Sequence, residues 1–310
     1  MPITWRPATW NDIELTLSIL ARHRGDALVG AKAAIESWKR LAGDPFFASA
    51  AIESNPAFLG HRLVGFGASV FVSPAFADAE IANPGPDINS RIIESIAAGQ
   101  SVLATRNQVG HANAGEGVDV VVLYGTWRDG ILGPGQKRDV QTLLAKSFTE
   151  WHAGYRIRRI LVETTSEPQR EFAESSGVYR TIAEFPGPGR VLHLMTHDSA
   201  TTTPASLGSI LFSYQEPLLR LRDSDRQLLL AAVNGATDLE LAAELGVTLF
   251  AVKARWRSAV ARVEEAMPGL VLEVDGHKGR GAQKRHRVLA YVRNHPEELR
   301  PFDRKRKPYE

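Results

Sequence analysis

The amino-acid sequence predicts a multidomain protein in which a mixed α/β domain is followed by an all-α domain. Strand and helix patterns alternate between residues 118 and 197, and helical patterns dominate beyond residue 209. A chain of 310 residues with 44% hydrophobic content is also longer than a usual single domain. The small, polar segment between the two patterns is a suitable linker. We therefore expect domains at 1–200 and 209–310, joined by a linker at 201–208.

The first third of the chain is expected to be helical and then β-rich. Apolar residues recur at helical spacing from Ile13 onward, which predicts that residues 10–54 are helical. Segment 58–73 is dense in Val and Phe and predicts a strand that is closed by Pro74. Isoleucines at near-helical intervals predict a further helix within 88–104.

The central part of the chain alternates between strand and helix. Apart from Asp119, VDVVVLYG is an apolar run bounded by glycines, which is typical of a fully buried strand. The predicted elements, in order, are a strand at 118–125, a helix after the turn at 133–135, a strand at 156–165, a short helix at 168–177 and a strand at 191–197. This order predicts a mixed sheet covered by helices.

Two capping boxes mark helix starts in the second domain. Ser224-x-x-Gln227 and Thr237-x-x-Glu240 both have the residue types whose side chains and backbone N–H groups bond reciprocally. Gly246 follows the second helix, where the chain turns without a Cβ penalty. The sequence therefore predicts two short helices and a sharp turn into a third.

The third helix is predicted to have one buried and one basic face. Thr248 is placed to cap it. The expected buried face consists of Val252, Trp256, Ala259, Val260 and Val263. The opposite face carries Phe250, Lys253, Ala254 and Arg257. A basic, lightly apolar face of this kind can contact phosphates and base edges.

This helical segment resembles the helix-turn-helix of LuxR-type response regulators and of bacterial sigma factors. The shared pattern is a small residue at Ala242, Leu245-Gly246-Val247 at the turn and Val252-Lys253 in the following helix. Arg255 stands where many LuxR-type sequences have His, as in the sigma-factor form. The resemblance implies a homodimer that binds double-stranded DNA at symmetric half-sites. The implied DNA-contacting residues are Thr248, Phe250, Lys253, Ala254, Arg255 and Arg257. The alternative is a three-helix packing unit with a solvated basic face or a protein-binding role.

The end of the chain is strongly basic. Residues 277–310 contain 11 Lys or Arg against 4 Asp or Glu, although the whole chain has a net charge of +2. Lys284, Arg285 and Arg287 are therefore predicted to contact DNA phosphates, which adds salt-dependent affinity that does not discriminate between sequences.

The first domain resembles the GCN5-related N-acetyltransferases. The opening ITWRPATWNDI, the strand and helix order from 118 to 178 and the segment SEPQREFAESSGV all carry the resemblance. It implies a glycine loop that binds the acetyl-CoA pyrophosphate through backbone N–H groups, and Gly133 and Gly135 match that loop. Gly130 stands where Gln or Arg is expected, and Pro134 has no N–H to donate.

The resemblance does not extend to a catalytic residue. Ala173 occupies the place of the tyrosine that often serves as general acid in the family, and the nearby Tyr124 and Tyr155 are interpreted as core residues. The domain is therefore interpreted as an acetyltransferase-like fold without the chemistry, which senses a small-molecule ligand or mediates dimerisation. No cofactor is predicted, with acetyl-CoA as the one alternative.

The remaining motifs are assigned structural roles. His193-x-x-x-His197 lies on a predicted strand without a third ligand, so no metal site is predicted. The six tryptophans are interpreted as core residues. The chain has no cysteine, which excludes disulfide and thiolate chemistry.

The leading functional hypothesis is a sequence-specific, DNA-binding transcriptional regulator of bacterial type. The apolar runs are too short to span a bilayer, so a cytoplasmic protein that does not bind membranes is expected. RNA polymerase is a further expected partner. Two alternatives remain: an N-acetyltransferase with a nucleic-acid-binding domain, and a protein-interaction module.

Overall fold

In the computed structural model, the residues described are 3–24, 32–58, 61–128, 130–187, 189–202, 206–271 and 281–303. The chain forms two compact units. Unit 1 comprises Met1–Gln108, Glu116–His152 and Ile157–Ser213, and unit 2 comprises Val109–Gly115, Ala153–Arg156 and Tyr214–Glu310. The unit boundary nearest the predicted linker lies between Ser213 and Tyr214.

Unit 1 is built on a seven-stranded mixed sheet, which confirms the predicted α/β class. The strands are β1 (Ile3–Pro7), β2 (Phe47–Phe58), β3 (His61–Val72), β4 (Val118–Trp127), β5 (Ile157–Thr164), β6 (Arg180–Phe185) and β7 (Arg190–Thr196). Their order in the sheet is β1-β2-β3-β4-β5-β7-β6. Strands β4 and β5 are parallel, and the other neighbours are antiparallel.

Helices cover both faces of this sheet. They are α1 (Trp10–Arg24), α2 (Lys32–Ala42), α3 (Pro74–Ala82), α4 (Ile88–Ala97), α6 (Pro134–His152), α7 (Glu167–Ser175), α8 (His197–Thr201) and α9 (Leu207–Leu211). Helix α5 (Arg106–Asn113) begins in unit 1 and continues into unit 2 at Val109. Trp38 of α2 and Ile92 of α4 pack with Val70 and Val121 on one face. Helix α6 covers the other face, where Val140 packs against Ile52.

The predicted helical stretch 10–54 is wrong at its end. Residues 10–24 and 32–42 are helical, but 47–54 belong to β2. Alanines in this segment favour a helix locally, yet β2 pairs with β1 on one side and β3 on the other. Tertiary pairing therefore overrides local propensity.

The predicted linker 201–208 contains the end of α8 and the start of α9, and residues 203–205 lie outside the described residues. Five further elements were not predicted, namely β1, α3, α5, β6 and α8. All five are shorter than ten residues, so their periodicity is too brief to stand out. In the described part of the chain, every helix is too short or too polar to cross a membrane.

Unit 2 contains most of the C-terminal helices. They are α10 (Asp223–Ala232), α11 (Asp238–Glu244), α12 (Leu249–Ala266), α13 (Pro268–Val271), α14 (Gly281–Asn294) and the 3-10 turn Pro296–Leu299. Their core includes Leu228, Leu241 and Val288. On α12, Val252, Trp256, Ala259 and Val263 are buried as predicted, whereas Val260 is half-buried.

The helix ends of unit 2 follow the predicted caps with one exception. Thr237 and Glu240 form the predicted reciprocal box, and Thr248 Oγ1 accepts from Ala251 N at 3.2 Å. Gly246 has the positive φ, +61°, that the turn requires. The Ser224 box is wrong, because α10 begins at Asp223 with Arg222 as its cap, two residues before the predicted cap. Ser224 already lies in the first turn.

Candidate functional site

The two parallel strands of unit 1 separate before they end. The register between β4 and β5 runs from Val118–Ile157 to Val122–Val162, although β4 continues to Trp127. On the other side of β4, Tyr124 pairs with Ala68 and Val122 pairs with Ser69, which leaves Leu123 as a bulged residue. The gap therefore opens at the carboxyl ends of the parallel strands, where α/β sheets commonly bind ligands.

A cavity of about 440 Å³ fills this gap. Asn89 of α4 and Phe148 of α6 both line it. Because α4 and α6 lie on opposite faces of the sheet, the cavity passes between β4 and β5 from one face to the other. Its volume is in the range typical of small-molecule sites.

Asn89 lines the cavity and carries a buried hydrogen-bond acceptor without a partner among the described residues. The side chain is 8% exposed, and its amide nitrogen donates to the carbonyl of the bulged Leu123. This bond orients the amide, so Oδ1 remains, and it has no hydrogen-bond partner among the described residues. A buried acceptor without a partner is costly unless a ligand or water completes it.

A charged network fixes the start of α4 beside the cavity. Glu163 Oε1 accepts from Asp87 N at 2.7 Å, and Arg190 donates to Glu163 at 3.0 Å and to Asp87 at 3.1 Å. Asp87 has a φ of +62° and caps α4, two residues before Asn89. Burial raises the pKa of the Glu163 carboxyl, opposed by the bond from Asp87 and the charge of Arg190. The network therefore positions Asn89 through the helix start.

Tyr179 lines the cavity near the face of the sheet that α6 covers. Its ring lies edge-on to His193, with the ring centroids 6.3 Å apart. Burial raises the pKa of the Tyr179 hydroxyl to about 12, so this group is protonated at neutral pH. The cavity is thus lined by a protonated tyrosine on one side and by Asn89 on the other.

The predicted glycine loop lies at the start of α6. Gly133 directly precedes the helix and donates its N–H to Gln136 Oε1 at 3.0 Å, while Gly135 lies in the first turn. Pro134 between them has no N–H, so the loop offers an anion few backbone donors. Binding of a cofactor by Gly133 and Gly135 stays a prediction.

The aromatic residues and His193, which were assigned structural roles from the sequence, lie in several different parts of the molecule. Tyr155 belongs to unit 2, where Arg300 lies 4.5 Å above its ring, whereas Tyr124 lines the cavity. Trp127 and Trp151 also line the cavity, and Trp127 packs against the core residues on the α6 face of the sheet. His193 is buried and bonds to Thr164 and Thr181, as its structural role requires.

The predicted DNA-contacting residues of α12 are unequally exposed. Phe250 is 75% exposed, and Lys253 and Arg257 are exposed on the same helix. Arg257 lies over the Phe250 ring at 6.0 Å. Thr248 caps the helix, as described above, and Ala254 is half-buried. Arg255 is also half-buried, and its Nη1 is buried without a hydrogen-bond partner among the described residues.

The predicted phosphate-contacting cations on α14 are partly engaged within unit 2. Lys284 pairs with Glu264 at 2.7 Å. Arg285 pairs with Asp238 at 3.0 Å and lies 4.8 Å above the Trp256 ring. Arg287 is half-buried. The DNA-binding roles of all these residues stay predictions, and the basic residues 304–307 lie outside the described residues.

Sequence reasoning missed the residues that converge on the cavity. Asn89, Glu163 and Tyr179 come from separate elements and form no motif. The one sequence signal was the apolar β4 run next to a second strand with a helix between them, which indicates parallel strands and a ligand site at their carboxyl ends. That pattern does not indicate that side chains from α4 and from the segment after α7 also line the cavity.

No protein-family model and no curated protein matches the chain. Solved structures similar to it include Arabidopsis thaliana NAA60 in complex with acetyl-CoA, at 17% identity and a TM-score of 0.38 over 63% of this chain and 97% of that one. A mosquito arylalkylamine N-acetyltransferase like 5b is 12% identical, with a TM-score of 0.38 over 63% of this chain and all of the other. FeeM, an N-acyl amino acid synthase from uncultured soil microbes, is 12% identical, with a TM-score of 0.37 over 66% and 96%. Similarities this low assign neither a family nor an activity.

Proposed function

We propose that unit 1 is an N-acyltransferase that moves an acyl group from a pantetheine thioester, such as acetyl-CoA, to an amine. The observation that carries the proposal is the separation of β4 and β5 beyond Val122 and Val162, which leaves a cavity through the sheet. The edge of β4 that faces the gap can pair with an extended ligand that contains amide groups, as a pantetheine arm does. The glycine loop matches the family pattern at Gly133 and Gly135. It is nevertheless a poor diphosphate site, because Pro134 between them has no N–H to donate.

The two sides of the cavity suit the two substrates. The thioester would lie on the side of α6 and Tyr179, and the amine on the side of α4. Asn89 Oδ1 would accept a hydrogen bond from the amine N–H, because this buried oxygen has no partner among the described residues. Tyr179, protonated at neutral pH, would supply the proton that the departing sulfur takes up.

The reaction balances without a further reactant. The amine nitrogen forms a bond to the carbonyl carbon as the carbon–sulfur bond breaks, and the sulfur leaves with that electron pair. The nitrogen loses one proton and the sulfur gains one, so the products are an amide and a thiol. Tyr179 is restored when it takes a proton from the solvent or from the nitrogen.

Calorimetry with acetyl-CoA on the full chain tests binding, and thiol release in the presence of an amine panel tests turnover. Replacement Tyr179→Phe is expected to lower kcat by about 10²- to 10⁴-fold and to leave the Kd for acetyl-CoA unchanged. Tyr124→Phe is the matched control, because it removes a hydroxyl from a side chain on the opposite side of the cavity. Absence of heat at high micromolar concentrations of acetyl-CoA and of longer acyl-CoA thioesters would rule out the proposal.

We also propose that unit 2 binds double-stranded DNA through α12. The supporting observation is that Phe250, Lys253 and Arg257 are exposed in the first half of a helix whose other face is buried. Selection of bound duplexes from a random pool, at one stated near-physiological salt concentration, tests this role. An enriched palindrome would support a dimeric regulator, whereas uniform, salt-labile retention would count against base reading. Binding of RNA polymerase in the absence of DNA would instead support a protein-interaction module.

A further inference from the structure

We infer that the part of the cavity beneath α6 and α9 holds the hydrocarbon chain of an acyl group much longer than acetyl. This inference rests on the proposed function of unit 1 and names its substrate class. Helix α6 lines the cavity from Gln141 to Trp151, and α9 contributes Leu211. Ten residues of helix correspond to about 15 Å along its axis. An acetyl group would leave most of that length unfilled.

The walls of this part of the cavity present mainly carbon. Its apolar lining residues are Leu144, Ala145, Phe148, Trp151, Val178 and Leu211. A dry, apolar space of this kind favours an apolar occupant, since water would find few partners there.

Four serine and threonine hydroxyl groups in the same walls are already paired. Ser147 donates to the Leu144 carbonyl at 2.9 Å, Thr149 donates to the Ala145 carbonyl at 2.9 Å, and Ser176 donates to the Ala173 carbonyl at 2.6 Å. Ser69 Oγ lies 3.4 Å from His152 Nε2. The sequence makes this region look more polar than it is, because its serines and threonines bond mostly to their own helices.

The far side of the gap differs in this respect. There Asn89 Oδ1 has no partner among the described residues, and the buried, charged group Glu163 is paired with Asp87 and Arg190. A polar amine on the side of α4 and the hydrocarbon chain of the acyl group on the side of α6 therefore match the two parts of one cavity.

The test is a chain-length series of acetyl-, butyryl- and octanoyl-CoA, titrated into the full chain by calorimetry. Each buried methylene is expected to lower Kd about fourfold, so octanoyl-CoA should bind more than about 100-fold tighter than acetyl-CoA. Equal affinity along the series would overturn the inference while acetyl-CoA binding still supported the proposed function. If no thioester bound, the proposed function would fall as well.

A substitution on α6 tests where in the cavity the hydrocarbon chain of the acyl group lies. Ala145→Phe fills the cavity from α6 and should remove most of the octanoyl advantage while changing the acetyl-CoA Kd by less than about twofold. Thr142→Phe, at an exposed position of the same helix, is the matched control and should keep the advantage. Leu211→Ala enlarges the space from the other wall and should preserve or increase the preference for longer chains, so the question remains testable if Ala145→Phe does not fold. An Ala145→Phe protein with a native unfolding temperature and an unchanged chain-length preference would overturn the inference.

Discussion

Units 1 and 2 place their candidate functional groups in opposite environments. In unit 1 they lie inside a cavity and come from α4, β5 and the segment after α7, far apart in the sequence. In unit 2 they lie on the exposed face of one helix, within a few residues of each other. A surface formed by one helix can be read from its periodicity, whereas a cavity exists only after several elements have packed. The predictions below test how far this contrast extends.

The largest effect is expected where unit 2 depends on a contact that is distant in sequence. Gly154 has a φ of +80°, and a Cβ there would lie 2.8 Å from Glu297 Cα and closer still to its backbone nitrogen. Gly154→Ala should therefore destabilise unit 2 by at least about 3 kcal/mol, from backbone strain and steric overlap together. Chemical unfolding followed by circular dichroism measures the change.

Gly269→Ala is the matched control for that variant. A Cβ at Gly269 would meet no atom within 4 Å, and Gly269 lies in the same unit. Its stability should stay within about 0.5 kcal/mol of the native value. If Gly154→Ala lowered the stability as little as Gly269→Ala, the close approach of Gly154 to Glu297 would not limit the stability of unit 2.

The next largest effect concerns the exposed face of α12. Lys253→Ala and Arg257→Ala should each weaken binding to a selected DNA site by about 1–3 kcal/mol, and should affect random duplex much less. The melting temperature should hardly change, because both side chains are exposed. Arg138→Ala removes an exposed cation from unit 1 and serves as the control in the same binding assay. If both substitutions lowered the affinity for specific and for random DNA equally, the α12 face would bind DNA through general electrostatic attraction and would not read bases.

The smallest effect is a pH dependence inside unit 2. Glu298 is 1% exposed and accepts hydrogen bonds from Leu218 N, Leu219 N and the Tyr291 hydroxyl. Burial raises the pKa of its carboxyl above the unfolded value, and the bonds from Leu219 and Leu218 oppose that shift. The folded state therefore holds more protons between the two pKa values, so stability should fall as the pH rises through that window and level off above it.

Glu298→Gln should remove this part of the pH dependence, because the amide does not titrate. Urea unfolding of both proteins at a series of pH values measures it. Glu244→Gln, at an exposed position of α11, is the control. If the native protein and Glu298→Gln had parallel stability curves, the buried carboxyl would not be the source of the slope.

Local signals predicted unit 2 better than unit 1. The Thr237–Glu240 box, the Thr248 cap and the turn at Gly246 each involve neighbours in the sequence, and all three are present. The Ser224 box failed because a capping motif also fits one position inside a helix, and the sequence does not indicate which residue leaves the helical conformation first. In unit 1, residues 47–54 were assigned to a helix because the two strands that flank them cannot be seen locally.

The sequence by itself determined the α/β class of the first region, the strands β4, β5 and β7, and the buried and exposed faces of α12. These features depend on apolar periodicity and on groups a few residues apart. Tertiary structure alone decided where β4 and β5 separate, which hydroxyls are paired with their own helices and which buried acceptor lacks a partner among the described residues. Those properties depend on the register between strands and on the packing of α4 and α6 against opposite faces of the sheet. Each is a relation between distant residues, and no short segment of the chain contains it.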